Sequence, residues 1–320
     1  MITLVHIDGL SGINYHRLIV PLRRLQAQGV NLHWIESLND LKDMNLDLVD
    51  NLIVSRKVSV TNHQKFSQLL KKHDVRLILD NDDYWTLNPE NPAKFLYETY
   101  YGPDIKKTIR IADVIWTPST YLGKLMAKEN SKATIEFINN AIDTDEQQWA
   151  EQSKRRSSRL RFGYLGALGH INDIKTIGYD FSNVYTFGVE GMDYDDILKY
   201  DKVSPPRDIW NYGKMYRDID VSLVPLAVNR FNWCKSDLKI TEAAHTKTAV
   251  IATNTRPYSA SIIHGETGLL VSSREEWKEA IESMDKKLAK KLGANLHEAF
   301  KDCPDHNLDL VNEKRLKYLV

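Results

Sequence analysis

The sequence predicts an α/β chain built as two doubly wound domains, on three observations. Short apolar runs alternate with longer stretches of helical period along the whole chain. The runs are apolar almost continuously, as strands covered on both faces by helices are. Midway, the polar and basic segment EQSKRRSSRLR (151–161) carries no apolar period and reads as a linker. A length of 320 residues exceeds one usual hydrophobic core, which also favours two domains.

In the first half the strand candidates are ITLVHI (2–7), VNLHWI (30–35), NLIV (51–54), VRLILD (75–80), DVIWT (113–117) and TIEFIN (134–139). Helical stretches lie between them. In 15–27, Leu18, Leu22 and Leu25 recur at helical spacing, and Pro21 should kink the stretch or mark an early turn. After the linker, LRFGYL (160–165), VYTFGV (184–189), VSLVPL (221–226), AVIAT (249–253) and GLLV (268–271) resume the series. The expected division is a Rossmann-like domain over 1–153 and a second over 154–304. A closing helix over 305–320 is expected to pack back onto the first domain. Ligands of such sheets bind beyond the C-terminal strand ends, so two of them are expected to face a common cleft.

The bulk composition, 42% hydrophobic and 27% charged, is that of a soluble globular chain. Lys+Arg and Asp+Glu are both 43, so no field of one sign favours general nucleic-acid or membrane binding; a local basic groove stays open. Cys234 and Cys303 make no disulfide framework or zinc pattern and fit a reducing cytoplasm. MITLVHIDGL lacks the layout of a signal peptide, and no run of eighteen apolar residues predicts a spanning helix. Peripheral membrane contact stays open.

The stretch FNWCKSDLKITEAAHTKTAVIAT (231–253) places Lys235, Lys239 and Glu242 at i, i+4 and i+7 between two strand candidates. If Ser236 or Asp237 caps a helix here, its free N–H groups and two ammonium groups suit a phosphate or diphosphate. Glu242, one turn deeper, is then placed for ribose hydroxyls. The plain alternative is a solvated face with a Lys239–Glu242 pair. In GYLGALGH, Gly163, Gly166 and Gly169 allow a tight turn whose N–H groups are open to an anion; a mere turn is the alternative. In DGLSGINYHR, Gly9 and Gly12 let the chain approach a sugar or phosphate, and Arg17 adds positive charge, against ordinary strand–helix punctuation.

DIDVSLVPLAVNRFNWCKSDLKITEAAHTKTAVIATNTRPYSASIIHGETGLLV resembles the donor-binding region of retaining glycosyltransferases of the GT-B fold. More narrowly, it is similar to a bacterial and phage subgroup with a K-S-x-x-K-x-x-E-A signature. GYLGALGHINDIKTI (163–177), GLSGINYHRLIVPLRRL and INNAID (138–143) extend the likeness over most of the chain. The resemblance implies two Rossmann-like domains facing a cleft and a nucleotide diphosphate-sugar as co-substrate, with a UDP-sugar favoured. It implies hexosyl or pentosyl transfer with retention, by front-face attack assisted by the leaving phosphate. Glu242 matches the second Glu of a Glu-x7-Glu motif, which binds ribose. The first Glu falls on Cys234, so the contact to the donor sugar is not carried over. Lys235, Ser236 and Lys239 would grip the diphosphate, His170 would lie near the phosphates, and Asp173 would hold the turn or cap the helix. Asp82, Asp83, His170 and Lys239 are the residues expected to serve the transfer itself.

In LILDNDDYW (77–85), Asp80, Asp82 and Asp83 stand at a strand end before Tyr84 and Trp85. A D-x-D cluster suits Mg²⁺ or Mn²⁺ on a diphosphate. The favoured reading is metal-free: a carboxylate holding a sugar or acceptor hydroxyl, with Tyr84 or Trp85 as a stacking platform. Two lysines, a helix N-terminus and backbone N–H groups would stabilise the departing diphosphate without an obligatory metal. HGETGLLV (264–271) is expected to pack beneath the nucleotide. The expected acceptor is a glycan or lipid-linked sugar. The alternative is a hydroxymethylated DNA base, met by Lys154, Arg155, Arg156, Arg159 and Arg161. A nucleotide-sugar binding protein without turnover is the third reading, for which Cys234 is the support.

Overall fold

A computed structural model describes residues 1–91, 93–149, 154, 157–166, 171–179 and 207–320. The chain divides into two compact units. One holds Met1–Ala141, Cys234–Ser236 and Leu308–Val320; the other holds Ile142–Trp233 and Asp237–Asn307.

The first unit is a six-stranded parallel sheet of β1 (Thr3–His6), β2 (Leu32–Ile35), β3 (Asn51–Ser55), β4 (Arg76–Asp80), β5 (Val114–Thr117) and β6 (Thr134–Phe137). All six sequence-predicted runs are strands. Their order is β2-β1-β3-β4-β5-β6. The chain therefore reverses its winding between β1 and β3, and the crevice beyond the C-terminal ends of those two strands is where such sheets take ligands. Every residue of β3 and β5 is buried, as continuous apolar runs require, whereas β6 is an edge strand with exposed ends.

Pro21 acts through a wide turn rather than a break. Helix Gly12–Asn14 passes through a π turn, Tyr15–Ile19, into helix Val20–Ala27. Proline has no N–H to give the Arg17 carbonyl four residues back. Arg315 supplies the donor instead: its Nη2 donates to that carbonyl at 3.0 Å. Asn312 Nδ2 donates to the Pro21 carbonyl at 3.1 Å, so helix Leu308–Leu319 is pinned into the first unit at the proline.

The second unit has a parallel sheet of β7 (Phe162–Gly163), β8 (Val221–Val224), β9 (Ala249–Thr253) and β10 (Leu269–Val271), ordered β10-β9-β8-β7. The strand expected at 184–189 lies outside the described residues. Val221, Leu223, Ala249 and Ile251 pack into one apolar cluster, while Val224, Val250 and Ala252 pack into another. Alternate residues thus feed two cores, which is why these strands read as unbroken apolar runs. Residues 142–149, which the sequence reading placed in the first domain, count with this unit; Gln148 Oε1 accepts from the Gly213 N–H at 2.8 Å.

Lys154 is the described start of the basic segment, and it is drawn inward. Its Nζ donates to the Tyr216 carbonyl at 2.7 Å and the Thr248 hydroxyl at 2.5 Å. Burial, with help from Arg161, brings its pKa down to about 7 against the opposing pull of Asp220 and Asp218. The folded pKa lies below the unfolded value of 10.5, so between these values the unfolded chain binds more protons. Stability should therefore rise with pH across that window, by up to about 1.4 kcal/mol per pH unit. Lys154→Met should lose that slope, as read from the difference between wild-type and variant urea midpoints from pH 7 to 10. Parallel pH profiles would show that the lysine is not held neutral.

Candidate functional site

In the first unit the charged residues gather at the C-terminal ends of β1, β3 and β4. Gly9 follows β1 with φ +130°, a conformation open to glycine. Its carbonyl accepts from Asn14 Nδ2 at 2.7 Å; the same amide donates to Asp8 at 3.1 Å, and Asn14 Oδ1 accepts from Ser55 Oγ at 2.5 Å. Buried Asn14 thus ties the loop after β1 to the end of β3. Gly12 opens the helix, which Ser11 caps.

Arg17 does not present its charge to this crevice. It is 1% exposed and grips Asp80 with two bonds, Nε to Oδ1 at 2.6 Å and Nη2 to Oδ2 at 2.8 Å. Its Nη1 donates to the Ile138 carbonyl and to Asn140 Oδ1. The expected anion-binding Arg17 is a buried strut that holds the end of β4 against the chain leaving β6.

Asp82 and Asp83 follow. Asp82 is 5% exposed, its Oδ1 has no hydrogen-bond partner, and the nearest cation on it is Arg56 Nε at 3.6 Å. Burial, followed by the like charge of Asp83, pushes its pKa up to about 6, with Arg56, Lys235 and Arg17 opposing. Asp83 Oδ1 accepts from Lys235 Nζ at 2.6 Å. Burial lowers the Lys235 pKa, but Asp83 and Asp82 outweigh it, so the ammonium is held charged. Arg56 was not singled out in the sequence; its position directly after β3 was the available signal. It takes a left-handed φ of 57°, uncommon for a residue with a side chain, and its N–H donates to the Asp80 carbonyl at 2.8 Å.

The carboxylates of Asp80 and Asp83 are each paired with a cation. Asp80 faces Arg17, and Asp83 faces Lys235, so the three carboxylates do not converge on one point. Among the described residues no group of three or more His, Cys, Asp or Glu is placed to hold a metal ion. Tyr84 and Trp85 touch, with ring centroids 4.4 Å apart, but Trp85 is 8% exposed and packs in the core. Tyr84 alone of the pair keeps a half-buried ring. Cys234 is fully buried in the same core, an apolar position where a glutamate would lack solvent.

The expected shared helix face is also corrected. Helix Leu238–His245 begins after Lys235 and Ser236, which belong to the first unit, where Ser236 Oγ accepts from Asn140 Nδ2 at 2.7 Å. Asp237 stands at the N-cap without a side-chain capping bond; its carboxylate accepts from Ser261 Oγ at 2.5 Å.

In the second unit, Lys239 Nζ donates to the Leu165 carbonyl and lies 5.6 Å from the Tyr164 ring centroid. This brings the signature lysine to the turn after β7. A Cβ on Gly166 would stand 2.4 Å from the Tyr164 hydroxyl, so only glycine fits there without displacing that ring. Gly169 and His170 lie outside the described residues. Asp173 secures a turn other than its own: its Oδ1 accepts from the Ala227 N–H and from Asn232 Nδ2, both at 2.7 Å, fixing the loop after β8. In HGETGLLV, the Gly265 N–H donates to the Gly268 carbonyl at 2.8 Å, closing a tight turn before β10. Glu242 is 3% exposed, and its Oε2 accepts from the Tyr216 hydroxyl at 2.8 Å. Burial and the Glu242 charge raise the Tyr216 pKa well above its usual value, so this hydroxyl stays a donor. Tyr216 was missed because nothing in its local sequence pairs it with a residue 26 positions away.

Compared with solved structures, the chain aligns over 99% of its length with a glycosyltransferase from Rickettsia africae ESF-5, at 15% identity, 97% coverage of that chain and a TM-score of 0.59. It aligns over 99% with sucrose-phosphate synthase from Thermosynechococcus elongatus, at 12% identity, 98% coverage and 0.66. It aligns over 100% with Anabaena HepE in complex with UDP and glucose, at 12% identity, 99% coverage and 0.61. No protein-family model matches the chain, and no curated protein matches it in sequence. The likeness is one of fold: this is an α/β protein with parallel sheets and two Rossmann-like domains, the GT-B fold of those glycosyltransferases.

Proposed function

We propose that the protein transfers a sugar from a nucleotide diphosphate-sugar, UDP being the favoured nucleotide, to an acceptor hydroxyl. The observation that carries this reading is Lys239: the signature lysine reaches across 74 residues to the glycine-bearing turn after β7, in a fold shared with glycosyltransferases. An ammonium at that turn is what a departing diphosphate needs. Glu242 supplies the carboxylate for ribose, with Tyr216 fixing its orientation. In the first unit, Asp82 offers an unbonded carboxylate oxygen to an acceptor hydroxyl, with Asp83, Lys235 and Arg56 setting its charge state. The acceptor favoured is a glycan or lipid-linked sugar, and retention follows from attack on the face that the diphosphate leaves.

The test is release of UDP from a panel of UDP-sugars with sugar acceptors, together with UDP binding by calorimetry. Failure of every nucleotide diphosphate to bind would remove the proposal. A second expectation concerns pH. Asp82 titrates near 6, so kcat/KM should fall as pH drops through about 6 and the carboxyl takes up its proton. Asp82→Asn should lower kcat/KM by about ten- to a hundredfold at pH 7.5 and abolish that limb. A variant that keeps the limb would assign it elsewhere.

A further inference from the structure

The second unit holds a cavity of about 610 Å³ at the opposite ends of its strands from those that take ligands in this fold. Asp220 directly precedes β8 and Lys247 stands just before β9, so the cavity opens at the N-terminal ends of those strands. Its lining is strongly one-signed. Lys154, Arg217, Lys247, Lys286 and Lys290 contribute five basic side chains. Among the described lining residues Asp220 is the sole carboxylate, and Arg161 already grips it with bonds of 3.0 Å from Nε and Nη2. In a chain with 43 basic and 43 acidic residues, that local excess is a departure from the mean.

The backbone does not explain it. Helix Leu238–His245 brings its C-terminal end to the cavity, but helix Lys286–Lys301 brings its N-terminal end, and the two half-charges offset each other. Cations of like sign on concave walls repel one another, and a concave low-dielectric wall focuses their field. The volume lies within the range of small-molecule sites, and Trp149 and Tyr216 supply flat apolar wall. Lys154, already part-deprotonated by burial and by Arg161, is the lysine that an incoming anion would recharge.

We propose that this cavity binds a small, free, multiply phosphorylated anion, at a site other than the donor residues Lys239 and Glu242. A cavity of this size suits a compact anion, whereas a nucleic-acid backbone requires an extended stripe of cations. Arg217 and Lys290 are exposed and are not among the donor residues, so replacing them should leave the fold and UDP binding in place.

The experiment uses the full chain saturated with UDP, so that the donor site is filled, and tripolyphosphate as the probe. Calorimetry should show saturable binding, and Arg217→Gln with Lys290→Gln should raise its Kd at least about tenfold, as loss of two cations requires. The double variant's melting temperature without probe serves as the fold control. Absence of binding to the wild-type chain, or equal Kd in the variant, would overturn the proposal. So would binding of duplex DNA, or of phosphatidylserine vesicles, that is lost in the double variant while tripolyphosphate does not bind; these outcomes would assign the cations to a nucleic acid or to a lipid surface.

Discussion

Arg17→Met should destabilise the first unit by about 3–5 kcal/mol, the cost of breaking a buried ion pair by removing one partner. The carboxylate left behind, Asp80, is 3% exposed and sits at the end of a central strand. It would lose two hydrogen bonds, while the Ile138 carbonyl and Asn140 Oδ1 would lose their donor as well. Arg315 is buried nearby. Burial and the like charge of Arg17 bring its pKa down to about 9, with Asp80 opposing. Loss of Arg17 relieves that repulsion and returns part of the cost. Asp80→Asn in the Arg17→Met background should recover stability further, because the uncompensated charge is gone. Urea denaturation followed by circular dichroism measures both. A shift below about 1 kcal/mol for Arg17→Met would mean that the pair holds no strand end in place. It would also reopen Arg17 as a ligand group.

Glu242→Gln should weaken UDP binding by about ten- to a hundredfold, matching the loss of charge-assisted bonds to ribose hydroxyls at about 1.5–3 kcal/mol. Glutamine keeps an oxygen for the Tyr216 hydroxyl, so the buried contact survives and the fold with it. Alanine would confound the test by stranding that hydroxyl in the interior. Asp83→Asn, by contrast, should lower turnover while leaving UDP affinity near wild type, since Asp83 pairs with Lys235 in the first unit. The pair of variants separates donor binding from the acceptor side. Unchanged UDP affinity in a folded Glu242→Gln chain would sink the donor assignment.

Much of the architecture was legible because it is local. A run such as NLIV or AVIAT is apolar at successive positions, and only a strand covered on both faces buries all of them; β3 and β9 do so. The turns at Gly9 and Gly265 and the helix carrying Lys239 and Glu242 were legible for the same reason. Helical spacing and turn chemistry depend on neighbours within a few residues. Pro21 was legible as an irregularity, though not in its form, because the donor that relieves it comes from Arg315 at the far end of the chain.

The partners of the charges were decided only by the tertiary structure. Spacing put Lys235 with Lys239 and Glu242, yet Lys235 pairs with Asp83, 152 residues away. Arg17 read as an open cation, yet it closes on Asp80, 63 residues away. Cys234 read as a missing glutamate, yet it fills an apolar core. The sequence by itself determined the described strands, their parallel winding and the signature helix, since each follows from burying a local apolar pattern. Which ionisable groups are spent on one another, and which, like Asp82, keep an unbonded oxygen, depends on strand order and register. Those bring distant residues within a few ångströms, where burial strengthens each charge's interactions and makes its pairing decisive.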